Sequence, residues 1–244
     1  MTPIQSAWEA LSNSMRLYAE SSLKFKQLFD VDAEEAVANH DRAFEAKLEA
    51  FHRLYDLTKG LSGFEYFKHA DTALLVHLRN AIHHRDHALF VSCNSMLHGE
   101  GGIGTKAGAA YLLASYEGMT PPTSKFFLPL HDFYKRLGHS SVKQPDVLRA
   151  MWEADISFAA ISQAGISQQF PDGQVYVDVM PIFISAIQRA TLWLSNSGVE
   201  AVGFDGKTYA EHFKRIEPVD LSKLKLSTLR IPLIFASPSS DKLP

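Results

Sequence analysis

A single cysteine, Cys93, is all the chain carries. That excludes a disulfide framework within one chain and any zinc site built on cysteine. Long apolar runs are also missing. The longest, 175–194, is interrupted by Asp178 and Arg189, and a membrane-spanning helix rarely tolerates both. There is no excess of positive charge: the formal net charge is −3, so no global basic field recruits nucleic acid, and any such contact must rest on a local patch. The opening residues Met1-Thr2-Pro3-Ile4-Gln5 lack the basic and apolar regions of a secretory signal. Neither an internal repeat nor a low-complexity segment is visible. These absences together lead to the expectation of a soluble, cytoplasmic protein with no membrane partner.

What is present is an ordinary globular composition, 244 residues with 46% hydrophobic and 21% charged. That suffices for one large domain with a sizeable core. Ile4, Trp8, Leu11, Met15 and Tyr18 share a stripe at helical spacing, which predicts a first helix over 4–30. Asp32, with Glu35 three residues on, reads as the cap of a second helix running to about 59 and closed by Gly60-Leu61-Ser62-Gly63. So short a link between long helices predicts an antiparallel pair. A third helix is expected from 64 or 71 to about 90. Residues 110–116 are ambiguous between strand and helix, and Thr120-Pro121-Pro122 stops them. Further helices are expected over 126–137, from 145 to about 170, over 175–194 (its start compatible with a strand) and over 205–216, and the tail after Ile231 is expected to lie extended. The class is mainly α: an up-and-down helical bundle in a single domain, 1–244, with a Gly-rich insertion and extra C-terminal helices.

The third helix carries the chemistry. Leu74, Leu75, Leu78, Ala81, Ile82 and Leu89 repeat at spacings of three, four and seven, while Arg79, Asn80, His83, His84 and His87 fall within nine residues. An ordinary solvated face would hold Glu and Lys. This one holds groups that exchange protons or bind anions near neutral pH. The Gly-rich segment 98–108 comes after it. Gly99, Gly101 and Gly104 fit G-x-G-x-x-G, with Thr105-Lys106 beside them. The fingerprint needs a strand before it and a helix after it, so the segment reads as a plain flexible loop whose functional variant would be a mobile lid.

Three readings of the histidines stay open. The rings can be structural, hydrogen-bonded to neighbouring helices. His83 and His87, about 40° apart on the helix, can form half of a zinc site, with His40 or His52 as a third ligand. That arrangement resembles the DinB-like metal-dependent helical bundles, although no Glu sits between the two histidines, only Arg85 and Asp86 among others. Finally, Arg79-Asn80-Ala81-Ile82-His83-His84 resembles the R-x4–6-H motif of the HEPN superfamily, in which a polar residue commonly follows the arginine. The resemblance covers about 4–170 and leaves 171–244 as a C-terminal helical addition. It implies a metal-independent endoribonuclease without cofactor, leaving 2′,3′-cyclic phosphate ends, in a toxin or phage-defence setting with RNA as substrate and an antitoxin protein as partner. Arg79, Asn80 and His84 would be the catalytic residues, with His83, His87 and Arg85 accessory. The residue types suit that chemistry: histidine exchanges protons near neutrality, and arginine offers phosphate a fixed cationic fork. Arg79 and His84 lie about 140° apart around the helix axis, so one copy aims them poorly at a single phosphate. Two copies across a two-fold axis can do so, and HEPN ribonucleases are dimers. The alternatives are a non-catalytic HEPN-like dimer that binds a nucleotide or protein partner, and a metal-dependent hydrolase.

Overall fold

The computed structural model describes residues 1–83, 89–99, 102–117 and 124–233. Helix α1, Pro3–Phe29, starts on a capping box: Thr2 Oγ1 accepts from the Gln5 backbone N–H at 3.2 Å while Gln5 Oε1 accepts from the Thr2 N–H at 2.8 Å, and Pro3 occupies the first helical position. Asp32 caps α2, Ala33–Thr58, by accepting from the Glu35 N–H at 2.9 Å. The two helices fold back on one another and bury Trp8, Leu11 and Tyr18 of α1 with Phe44, Leu48 and Phe51 of α2 in one core. Each such side chain contributes about 1.5–3 kcal/mol of burial.

Helix α3, Ala70–His83, passes through the middle. Every residue from Ala70 to Val76 is buried, as is Leu78. It packs on α2 and on α8, Met180–Asn196, which is likewise buried on most sides. Around this helical core lie α4 (Cys93–His98), α5 (Leu130–Leu137), α6 (Pro145–Asp155), α7 (Phe158–Ser167) and α9 (Phe204–Arg215). Among the described residues no helix is long and apolar enough to cross a membrane.

A four-stranded sheet covers one flank. Its strands are β1 (Ala110–Tyr116), β2 (Phe127–Pro129), β3 (Val175–Asp178) and β4 (Leu224–Arg230), in the order β2-β3-β1-β4. The parallel pair β1–β3 sets Leu113 opposite Tyr176. The antiparallel neighbours set Leu113 opposite Ser227 on β4 and Val177 opposite Leu128 on β2.

The mainly α class holds, and the sheet is the addition to it. The expected helix over 126–137 begins only at Leu130. Pro129 disfavours helical backbone at the residue before it, and Leu128 pairs with β3 instead. The expected helix from 145 to about 170 is two helices, because Ser157 takes a left-handed conformation (φ 60°) and donates its hydroxyl to the Leu221 carbonyl at 2.8 Å. Residues 110–116 resolve as strand, 175–178 precede α8 as strand, and β4 falls where no element was expected. The third helix ends within the described residues at His83, while Leu89 and Phe90 form a turn in which the Phe90 N–H donates to Asp132 Oδ2 at 2.6 Å. The Gly-rich segment joins α4 to β1, the reverse of the strand-then-helix order that a phosphate-binding loop needs, and residues Ile103–Lys106 form a 3₁₀ turn. Gly101, Pro121 and Pro122 lie outside the described residues.

A candidate active site where the central helix leaves the core

Only the last turns of α3 reach the surface. A helix apolar on every side stays inside; once Arg79, Asn80 and His83 appear in the sequence, the helix must emerge, because burying unpaired charge costs several kcal/mol. It emerges beside α2, whose Asp41, Glu45, Glu49, His52 and Asp56 recur at spacings of three and four along one stripe. The two polar faces bound an open cleft of about 390 Å³ lined by Glu45, Leu48, Glu49, Arg79, Ile82 and His83.

Glu49 organises this cleft. Its carboxylate accepts from Arg79 Nε at 2.9 Å and from Arg79 Nη2 at 2.8 Å, a bidentate pair, and lies 3.5 Å from His83 Nδ1. The Arg79 side chain is 17% exposed against 48% for Glu49 and 54% for His83, so the carboxylate and the imidazole face solvent while the guanidinium braces them from behind. Glutamate thus takes two of the five guanidinium N–H donors. Nη1 is left with a long 3.4 Å contact to Asn80 Oδ1. Burial pushes the Glu45 carboxyl above the usual range, the negative charges of Asp41 and Glu49 add to this, and Arg42 opposes it. His52, 3.2 Å from Asp56, is held below its ordinary value by burial and by the nearby Arg79.

The structure therefore brings Arg79, Asn80 and His83 together with Glu49, while His84, Arg85 and His87 lie outside the described residues. Glu49 was not among the expected site residues, and its signal was the acidic stripe of α2 read against the antiparallel fold. Two other histidines, His40 and His77, have different fates. His40 is buried, stacks on Tyr18 and meets its hydroxyl at 3.2 Å. His77 is enclosed by Trp152 and Phe67. Burial drives both rings down to a pKa of about 4, with the Arg136 charge adding to the effect on His77, so both are neutral at pH 7. Among the described residues no group of three His, Cys, Asp or Glu side chains is placed to hold a metal ion; His87 falls outside that set.

Comparison with protein-family models, with curated proteins and with solved structures finds no match to this chain.

Proposed function

We propose that this chain is a HEPN-like, metal-independent endoribonuclease acting as a homodimer. The reading is carried by one observation: Glu49 holds Arg79 and His83 together at the mouth of an open cleft. Phosphodiester transfer to a 2′-oxygen needs a base, a cation and an acid, and this constellation offers all three types. The base takes the 2′-OH proton; the 2′-oxygen attacks phosphorus; the bond to the 5′-oxygen breaks; and a protonated group returns a proton to that leaving oxygen. The products are a 2′,3′-cyclic phosphate and a free 5′-OH. Glu49 and His83 are suited to the proton transfers, and Nη1 of Arg79 is the part of the fork left for phosphate. His84, next in the chain, joins them from a second copy under the angular argument above. A cytoplasmic toxin or defence role with a neutralising antitoxin protein belongs to the same proposal.

A second reading has its own observation. Glu45 and Glu49 place two carboxylates where a phosphate would approach, and the bidentate pair already satisfies much of Arg79. This favours a non-catalytic dimer that binds a nucleotide or protein partner, with Glu49 as a guard on Arg79. The experiment is to incubate purified protein with RNA in EDTA and identify the ends. Cyclic phosphate ends that survive chelation, lost in Glu49→Gln and Arg79→Ala, support the ribonuclease. No cleavage, with nucleotide affinity that rises in Glu49→Gln, supports the binding module. Cleavage abolished by EDTA and restored by zinc overturns both in favour of a metal-dependent hydrolase.

A further inference from the structure

On the far side of α2 from the cleft, Lys47 occupies an environment lysines seldom enter. Its side chain is 1% exposed. The amine lies 3.5 Å from the centre of the Tyr18 ring, 4.4 Å from Phe183 and 4.8 Å from Phe44, and 2.6 Å from the Met180 thioether sulfur. Ring faces and a thioether are weak acceptors for the three N–H donors of an ammonium. The same lysine forms part of the wall of a cavity of about 380 Å³ between α1 and the α8–α9 pair, whose other walls include Met15, Tyr18, Ile184, Tyr209 and Phe213. A mostly apolar pocket of this size with one amine in its lining has the dimensions and composition of a small-ligand site.

We propose that this cavity takes a small apolar aldehyde or ketone, and that Lys47 binds its carbonyl carbon covalently as an imine. The free amine attacks the carbonyl carbon and the C=O π pair moves to oxygen. Proton transfer from nitrogen to oxygen gives a carbinolamine, and loss of that oxygen as water leaves the C=N bond. Nothing is oxidised or reduced, and the only by-product is one water. The reaction needs an uncharged amine. Burial drives the Lys47 amine well below its ordinary value, opposed by the field of the buried Asp178 carboxylate. The ring faces favour the cation by about 2 kcal/mol, less than the several kcal/mol that desolvating an ion costs. A solvent-exposed lysine at pH 7 is only about 0.04% free amine, so selectivity for Lys47 is the direct consequence. A carboxylate ligand would require the charged form that this site disfavours. The proposal is independent of the ribonuclease reading, since Lys47 is no part of that cleft.

The test treats the full chain at pH 7 with benzaldehyde and cyanoborohydride, then locates benzylated lysines by peptide mass mapping. Lys47 is expected to be labelled at least about ten-fold faster than the average surface lysine. That fast adduct should vanish in Lys47→Met, with the slow surface labelling unchanged. Ile184→Trp, which fills the cavity and keeps the amine, should slow labelling at Lys47 several-fold; equal labelling there would mean that the cavity is not the binding site. Labelling of Lys47 no faster than at surface lysines in the unsubstituted chain overturns the proposal, as does saturable benzoate binding in the absence of any Lys47 adduct.

Discussion

At the scale of single residues, Arg79 and Lys47 show how differently a polypeptide treats a cation. Arg79 carries a permanent charge whose fork the Glu49 carboxylate matches; Lys47 sits among rings and sulfur, where charge is disfavoured. Each gives a prediction. Under the ribonuclease reading, Arg79→Ala, His83→Ala and His84→Ala should each lower RNA cleavage on the order of 100-fold or more while leaving the dimer intact. Mixing the Arg79→Ala and His84→Ala variants should restore part of the activity if each site takes Arg79 from one chain and His84 from the other; a mixture that stays inactive rejects the shared site. For Lys47 the prediction concerns stability. In the unfolded chain its amine is protonated at pH 7, and folding must strip or desolvate that charge. Lys47→Met, similar in shape, removes the penalty and should stabilise by about 1–4 kcal/mol, read as a higher urea midpoint with unchanged slope. That Arg79, Asn80 and His83 share the polar end of one helix was legible from their types and spacing. That Glu49 pairs with Arg79 was not, because the contact depends on which face of α2 meets α3. The sequence likewise left open whether His40 was a ligand or packing; only its burial against Tyr18 decides that.

At the scale of elements, local signals set the long helices and long-range pairing set the strands. The stripe of Trp8, Leu11 and Tyr18 and the cap at Asp32 each act within a few residues, so α1 and α2 could be read directly. Asp32→Ala should cost about 1 kcal/mol, seen as a lower thermal midpoint. The sheet is different. β4 is exposed along most of its length, and its leucines at 224, 226 and 229 keep no period of two, while β2 is three residues that pair only because β3 is waiting. The break at Ser157 depends on the Leu221 carbonyl, 64 residues further on. Helix α7 also carries a sharp test of its packing on β3. A Cβ at Gly165 would lie 2.8 Å from Val175 Cγ2, so Gly165→Ala gains helix propensity but overpacks the contact. The crowding should win, for a net loss of about 1–3 kcal/mol; a variant as stable as the parent would mean that β3 yields easily there.

At the scale of the whole molecule, neutral histidines packed among rings tie stability to acidity. His40 and His77 titrate near 4 in the folded chain against about 6.5 unfolded. Between those values the unfolded chain binds protons that the folded chain refuses, so stability present above pH 6.5 drains away as pH falls toward 4. The slope is up to about 1.4 kcal/mol per pH unit for each such ring. Asp41 and Asp178, whose carboxyls burial raises, work in the opposite direction, so the clean measurement is a difference: His77→Phe should flatten the acid slope of urea stability between pH 6.5 and 4.5. An unchanged slope would mean that His77 admits a proton without opening. The whole fold also has a seam. Near its start, α1 meets α9 where Asn13 and Arg16 bond to Asp205 and the Gly206 N–H donates to Glu9, while β1 waits for β4 across more than a hundred residues. During synthesis the α1–α2 hairpin can form as soon as it leaves the ribosome, but the α9-facing side of α1 stays uncovered until residue 215 has emerged, and one edge of β1 until residue 230 has. Half-made chains therefore carry an open strand edge, the kind of surface that invites wrong pairing during translation.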